Sequence, residues 1–442
     1  MKKSVKRLGC CWLLLLLAVT VRAQTVPPNI VFIISDDHGW QDYGFMGHPQ
    51  IKTPHLDKLA SQSLLFPRGY VPTSLCSPSL ATILTGRYPH EHLITGNDPP
   101  APPGGNKNHP QYIADWDTMR SFVSNRPTLP RLLQQKGYVS LQTGKWWLGD
   151  YKNGGFTHGM SHGDKARGGR HGDEGLEIGR STMQPIYDFI GNARRDQKPF
   201  MVWYAPMLPH DPHNAPQRLL AKYKDKAPNL ETAKYWANVE WFDESCGQLL
   251  DYLDRENLSQ NTIVVYVTDN GWLQGPERDS HSVRSKRTPY EAGIRTPIML
   301  RWPHKIKPRR SSQLASSLDL LPTILAAVKV PVPTNLPGLN LLQEKAINAR
   351  QTLFGALFTH DAVDIRKPSA NLLSRWVIDG EWKLLVPVSH PPADRSTPEQ
   401  PPQIELYRLA TDATETMNLA EKEPARVQAL KHKLDVWYRG EQ

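Results

Sequence analysis

The run Ser74-Leu75-Cys76-Ser77-Pro78-Ser79-Leu80-Ala81-Thr82-Ile83-Leu84-Thr85-Gly86-Arg87 places a cysteine at the predicted start of a helix. Ser77 is positioned to cap that helix, Pro78 suits its first turn, and Gly86 suits its end. Free backbone N–H groups and the helix dipole attract an anion there and favour thiolate over thiol. Cys76 is therefore a candidate nucleophile facing an oxyanion. Other reactive side chains follow apolar runs: Asp36-Asp37 after Ile30–Ile34, Lys145 after Tyr138–Gln142, His210 a short loop after Phe200–Tyr204, and Asp269-Asn270 after Ile263–Val267. In open α/β sheets the ligand crevice lies beyond the carboxyl ends of the strands. Three carboxylates and an amide converging there repel one another unless a cation holds them. All-oxygen ligation suits calcium or magnesium.

Each motif alone has a plainer reading. Asp36-Asp37 resembles a polar turn after a strand, Asp269-Asn270-Gly271 a tight turn, and Lys145 or Lys286 a solvated lysine. Lys145, however, stands between Gly144 and two tryptophans, Trp146 and Trp147, where a walled site would let its charge bind an oxyanion. His210 sits in Pro209-His210-Asp211-Pro212, a proline-stiffened mount for a general acid.

These groups need elements to position them. Apolar runs of strand length alternate with helical patterns, which predicts α/β architecture. A fifth run, Ile298–Leu300, delivers no comparable polar group. Predicted helices are Pro54–Ser63 with Thr53 as cap, Leu129–Lys136, Ala233–Arg255 and Leu318–Val328. Long loops are expected at Pro99–Pro110, Asn153–Gly179 and Pro391–Pro402. Near the end, Trp376–Pro387 and Ile404–Arg408 read as strands around turns and Pro424–Tyr438 as a helix. The expected division is a main α/β domain over 24–345 and a smaller α+β subdomain over 346–442.

The N-terminus is basic (Lys2, Lys3, Lys6, Arg7), then apolar from Leu8 to Val21, then Val21-Arg22-Ala23. This predicts a signal peptide over residues 1–23 and a secreted or periplasmic protein without a stable membrane anchor. Cleavage after Ala23 would remove five basic residues and halve the formal charge of +10. The remaining excess gives no ground for a nucleic-acid partner and suits an anionic substrate. Cys10 and Cys11 lie in that segment, so Cys76 and Cys246 alone remain of four cysteines, which excludes a disulfide framework. Cys246 falls in an amphipathic helical pattern, where a buried free thiol is common.

In this order the motifs resemble the type I, formylglycine-dependent sulfatases of the alkaline phosphatase superfamily. Ile30 to Gly39 is similar to the first metal motif, Cys76 to Arg87 to the signature, and Gly144 to Gly149 to the lysine motif. Pro209 to Pro212 is similar to the histidine loop, Val267 to Gly271 to the second metal motif, and Lys286 to Gly293 to the second lysine motif. The tail, Glu405-Leu406-Tyr407-Arg408-Leu409 and then Glu415-Thr416-Met417-Asn418-Leu419, resembles the family's closing motifs.

The resemblance implies an alkaline-phosphatase-like fold: a large, mostly parallel sheet flanked by helices, plus a small C-terminal antiparallel sheet. It also implies that Asp36, Asp37, Asp269, Asn270 and an oxygen of modified Cys76 bind calcium, and that Lys145 and Lys286 grip the sulfate. His210 would protonate the leaving alcohol. Cys76, oxidised to formylglycine by a maturase, would attack sulfur as its hydrate, and its second hydroxyl would expel sulfate. The substrate implied is a sulfate ester; export and many tryptophans point to a sulfated carbohydrate.

Two positions depart from the family pattern. Leu80 stands where the family has the arginine that holds the aldehyde hydrate and helps a maturase recognise the cysteine. Trp147 stands where it has the histidine that accepts the proton as sulfate leaves. His158, His162, His171 and His281 are candidate substitutes. Two alternatives stay open: a phosphate or phosphonate ester hydrolase of the same superfamily, and a catalytically impaired protein that binds sulfated glycans.

Overall fold

Continuous apolar stretches become strands buried on both faces. In the computed structural model, which describes residues 27–164, 169–277, 280–392 and 403–439, the Asn29–Ser35 strand is wholly buried. It pairs in parallel with Phe200–Ala205 on one side and Thr262–Thr268 on the other. The sequence-predicted signal segment lies outside the described residues. Among those described, the large sheet has eight strands. Their order is His158–Gly159, Val139–Gly144, Phe200–Ala205, Asn29–Ser35, Thr262–Thr268, Ile298–Arg301, Leu64–Phe66 and Arg309–Arg310.

Side-chain alternation then sorts the central strand between two helical layers. Ile30, Phe32 and Ile34 pack in the cluster that holds Ile83 and Leu84 of the Cys76–Thr85 helix and Leu321 and Ile324 of the Leu320–Ala327 helix. Val31 and Ile33 pack with Phe242, Cys246 and Leu249 of the Leu230–Arg255 helix. Asn229 caps that long helix by accepting the N–H of Thr232 at 2.8 Å. Cys76 and Cys246 are both free and buried.

Ile298–Arg301 is the exception to the parallel majority, running antiparallel to both Thr262–Thr268 and Leu64–Phe66. An apolar run records burial, and strand direction depends on the connection that leads into it. The Pro99–Pro110 loop contains one short turn of helix, Pro103–Gly105, and ends in an unanticipated helix, Pro110–Ser121. Asn153–Gly179 is less irregular than expected. His158–Gly159 adds an edge strand to Val139–Gly144, and Asp173–Glu177 forms a 3-10 turn. Most of the third loop, residues 393–402, lies outside the described residues.

The C-terminal sheet is antiparallel, ordered Thr352–Phe358, Leu372–Asp379, Trp382–Pro387 and Glu405–Arg408. Val427, Leu430 and Leu434 of the Pro424–Trp437 helix cover one face. The other face packs Trp376, Leu385 and Tyr407 against Tyr70, Tyr290 and Ile294. Beside that seam Lys383 is fully buried, 3.0 Å from Glu291 and 2.8 Å from Glu415.

A second buried charge joins two helices near the sheet. Asp243 accepts the N–H groups of His55 at 3.1 Å and Leu56 at 2.7 Å, in the first turn of the Pro54–Ser61 helix. Burial pushes its carboxyl up to about 7, against those amides. Between roughly pH 4 and pH 7 the folded protein therefore binds more protons here than the unfolded chain. The group's contribution is full below that window and is lost as pH rises through it. Asp243→Asn keeps an acceptor oxygen, so in urea titrations the stability of the parent relative to this variant is expected to fall by a few kcal/mol across the window.

Candidate active site

Four adjacent parallel strands deliver the site at their carboxyl ends, as the sheet order requires. Asp36 and Asp37 follow Asn29–Ser35, Asp269 and Asn270 follow Thr262–Thr268, Lys145 follows Val139–Gly144, and His210 lies beyond Phe200–Ala205. Asp37 adopts a φ of 56°, a left-handed backbone unusual outside glycine and often found where function fixes geometry. Gly144, at φ +77°, has no room for a side chain, since a Cβ would lie 1.9 Å from the Ala205 carbonyl oxygen. That close approach lets the Lys145 N–H donate to the same oxygen at 2.6 Å, which aims the lysine inward.

The Cys76–Thr85 helix begins on the cysteine itself, after an extended Leu75, and ends on Gly86 at φ 66°. Ser77 is not its cap. It lies inside the first turn, and its N–H donates to Asn97 Oδ1 at 2.9 Å, so a side chain from another loop does the capping.

Lys145 Nζ stands at the centre, donating to Asp36 Oδ1 at 2.6 Å and Cys76 Sγ at 3.2 Å, with Asp269 Oδ2 at 3.8 Å. The Cys76 thiol faces Asn270 Oδ1 at 3.5 Å, and Asn270 Nδ2 donates to Asp37 Oδ1 at 2.6 Å. Asp37 Oδ2 takes Lys286 Nζ at 2.7 Å and has His210 Nε2 at 3.3 Å. All eight sequence-predicted residues thus converge on one cluster.

Electrostatics correct one expectation. Burial pushes the Cys76 thiol up to about 12, against the pull of Lys145 and Lys286. Desolvation of a fully buried sulfur outweighs the helix terminus, so the thiol keeps its proton. Burial also works to raise Asp37, but Lys286, His210 and Lys145 together hold it well below the usual carboxylate range. Asp269 goes the other way, raised by burial and by Asp36. For Lys145 and Lys286 burial is overcome by the surrounding carboxylates, and both are raised.

The site's donors fit a hard cation. Asp36 Oδ2 and Asp269 Oδ2 are buried without a hydrogen-bond partner among the described residues. Ligand atoms of Asp36, Asp37 and Cys76 lie within 4.8 Å of one another. Buried carboxylate oxygens with nothing to accept are costly alone and are satisfied by an ion.

Several supporting residues escaped the sequence. Asp211 Oδ1 holds His210 Nδ1 at 2.9 Å, which the adjacent His-Asp pair could have suggested. Arg180 Nη2 and Asn238 Nδ2 donate to carbonyls of the same loop, at His210 and Pro209, and nothing local marks them. The two departures are both buried, Leu80 and Trp147 sharing one apolar cluster. Of the substitute histidines, His171 packs edge-on to Trp147 at 4.7 Å and His281 against Trp272 at 5.5 Å. His158 instead packs on Phe189, and His162 pairs with Asp150 at the surface.

Comparison with known proteins places this arrangement. A family model described as Sulfatase matches residues 28–330, and one described as N-sulphoglucosamine sulphohydrolase, C-terminal, matches residues 279–437. N-acetylgalactosamine-6-sulfatase of Homo sapiens is 32% identical over 359 residues, covering 72% of this chain and 65% of that protein. The chain thus spans 65% of the length of that relative. Arylsulfatase A of Homo sapiens is 30% identical over 384 residues, covering 74% of this chain and 70% of that one. The crystal structure of Ps i-CgsB in complex with k-i-k-neocarrahexaose shares the fold, with a TM-score of 0.74 at 24% identity over 94% of each chain. Since the 28–330 match contains every side chain of the cluster around Cys76, the chain belongs to the sulfatase family.

Proposed function

We infer that the protein is a metal-dependent hydrolase of sulfate esters on a carbohydrate, exported by its N-terminal segment, with residue 76 as nucleophile. The observation that carries this is the pairing of Lys145 and Lys286 with Asp36 and Asp37 around Cys76. With a cation bound, Asp36, Asp37 and Asp269 would bring three negative charges and the two lysines two positive ones. Calcium, or magnesium, held by Asp36, Asp37, Asp269 and Asn270 leaves one net positive charge, the complement of a sulfate monoester. A phosphate monoester dianion would leave buried negative charge instead. A carbohydrate substrate is supported by the name of one relative, the N-acetylgalactosamine-6-sulfatase, and by the neocarrahexaose bound to a protein of the same fold.

In this reading the two lysines bind the sulfate oxygens and offset charge as sulfur is attacked. His210 holds a proton at Nε2 for the leaving alcohol, its Nδ1 fixed by Asp211. Buried Trp146 and Trp147 exclude water from the lysine side. The bound cation supplies a fixed positive charge near the reacting oxygens. Formylglycine at position 76, installed by a maturase, supplies the attacking hydroxyl that a protonated thiol lacks.

A second reading, glycan binding without turnover, is favoured by the protonated Cys76 thiol together with Leu80 and Trp147. Release of sulfate from an aryl sulfate, set against phosphate from the matching aryl phosphate, separates the readings. Hydrolysis is expected for sulfate, dependent on calcium and abolished by chelation. Faster phosphate release contradicts the proposal, and no release of either favours binding alone.

A further inference from the structure

Arg170 and His171, which both pack on Trp147, help line a cavity of about 290 Å³ that the chemistry at Cys76 does not use. The Pro110–Ser121 helix supplies one wall, with Tyr112, Trp116 and Arg120 at four-residue spacing on a single face. The lining also includes Arg170 and His171 from the glycine-rich loop and the exposed Lys107. The lining thus carries three cations and no carboxylate.

These cations differ in how far they are satisfied. Arg170 is committed: it forms a two-point ion pair with Asp98, its Nη1 donates to His171 Nε2 at 2.6 Å, and its guanidinium lies 4.7 Å over the Trp147 ring. Arg120 is not. Its guanidinium stacks 4.7 Å over Trp116, its nearest carboxylate is exposed Asp117 at 4.0 Å, and its Nε is buried without a hydrogen-bond partner among the described residues. A guanidinium lying over an indole without a close carboxylate is available to an anion.

The cavity lies close to the reactive cysteine. Cys76 Sγ is 3.2 Å from Lys145 Nζ, which lies 6.0 Å from the Trp147 ring, whose face Arg170 covers at 4.7 Å. Arg170 also ties the cavity to the Cys76 helix, because its partner Asp98 is next in the chain to Asn97, which accepts the Ser77 N–H.

Resting on the sulfate-ester reading of the Cys76 site, we propose that this cavity is a subsite for a second anionic group, carried by the sugar next to the one whose sulfate is presented to Cys76. Arg120 is its principal ligand, Lys107 adds charge, and Trp116 supports the guanidinium. The substrate class is then a glycan bearing negative charge on neighbouring residues, as either a uronate or a second sulfate.

Calorimetry on the full chain with Cys76→Ala, which binds without turnover, tests this. Four probes are compared: N-acetylgalactosamine 6-sulfate, the same sugar linked to a neutral hexose, linked to a uronate, and linked to a sulfated hexose. The two doubly charged disaccharides are expected to bind at least tenfold tighter than the other two. Whichever of them binds tighter identifies the second anion as carboxylate or sulfate. Arg120→Gln removes that preference and leaves the monosaccharide unchanged, while Arg120→Lys keeps part of it. Equal affinity for charged and neutral neighbours overturns the subsite, as does an Arg120→Gln variant that weakens every probe alike. If none of the four binds, the sulfate-ester reading fails and the subsite with it. Unchanged melting temperatures in both Arg120 variants exclude misfolding as the cause.

Discussion

Lys145→Met lowers turnover of a sulfate ester by roughly 10²–10³-fold and destabilises the cation-free protein by about 3–5 kcal/mol. Lys145 is buried, and its ammonium touches Asp36 and Cys76 and approaches Asp269. Methionine keeps the volume and removes the charge, so Asp36 and Asp269 face each other with no cation between them. Arginine does not rescue, because a planar fork cannot occupy the place of a compact ammonium. Calcium should raise the melting temperature of the variant more than that of the parent, since the ion no longer meets a competing charge and is the remaining way to neutralise those carboxylates. A kcat within threefold of the parent, or an unchanged calcium response, contradicts the role given to Lys145.

The second large effect requires two substitutions together. Leu80 follows Cys76 by one helical turn, and it shares a buried cluster with Trp147. Arginine at 80 alone forces a guanidinium into apolar packing, and histidine at 147 alone opens a cavity; each is expected to destabilise by roughly 2–4 kcal/mol. A double-mutant cycle on stability reads whether the two positions are coupled. Leu80→Arg with Trp147→His also restores the two groups that the resemblance assigns to handling of the modified residue 76. Sulfate release in a host with a maturase should rise at least tenfold over the parent. No gain would mean that the site is rebuilt around another chemistry.

Both residues show why some parts of this protein were legible in its sequence. Strand interiors buried on both faces need unbroken apolar runs, so Ile30–Ile34, Phe200–Tyr204 and Ile263–Val267 announce themselves, and polar residues at their ends fall into one crevice. Direction is not written in such a run, hence the antiparallel Ile298–Arg301. Burial is a property of the whole fold, which is why a helix terminus alone misjudged the Cys76 thiol. Contacts between distant loops leave no local trace: Asn97 caps the Cys76 helix from another loop, and Arg180 reaches the His210 loop across many residues. The Pro110–Ser121 helix lacks a clear apolar period because one face mixes Tyr112 and Trp116 with the cation Arg120, and that mixture lines the cavity.

The most direct test combines two readings of one sample: the mass of the peptide carrying residue 76, and the sulfate that the same protein releases from an aryl sulfate in calcium. The expected peptide carries formylglycine in place of Cys76, and the expected sulfate release is abolished by chelation and exceeds phosphate release from the matching phosphate. A fully converted residue 76 with no sulfate released, or with phosphate released faster, would contradict the sulfate-ester reading.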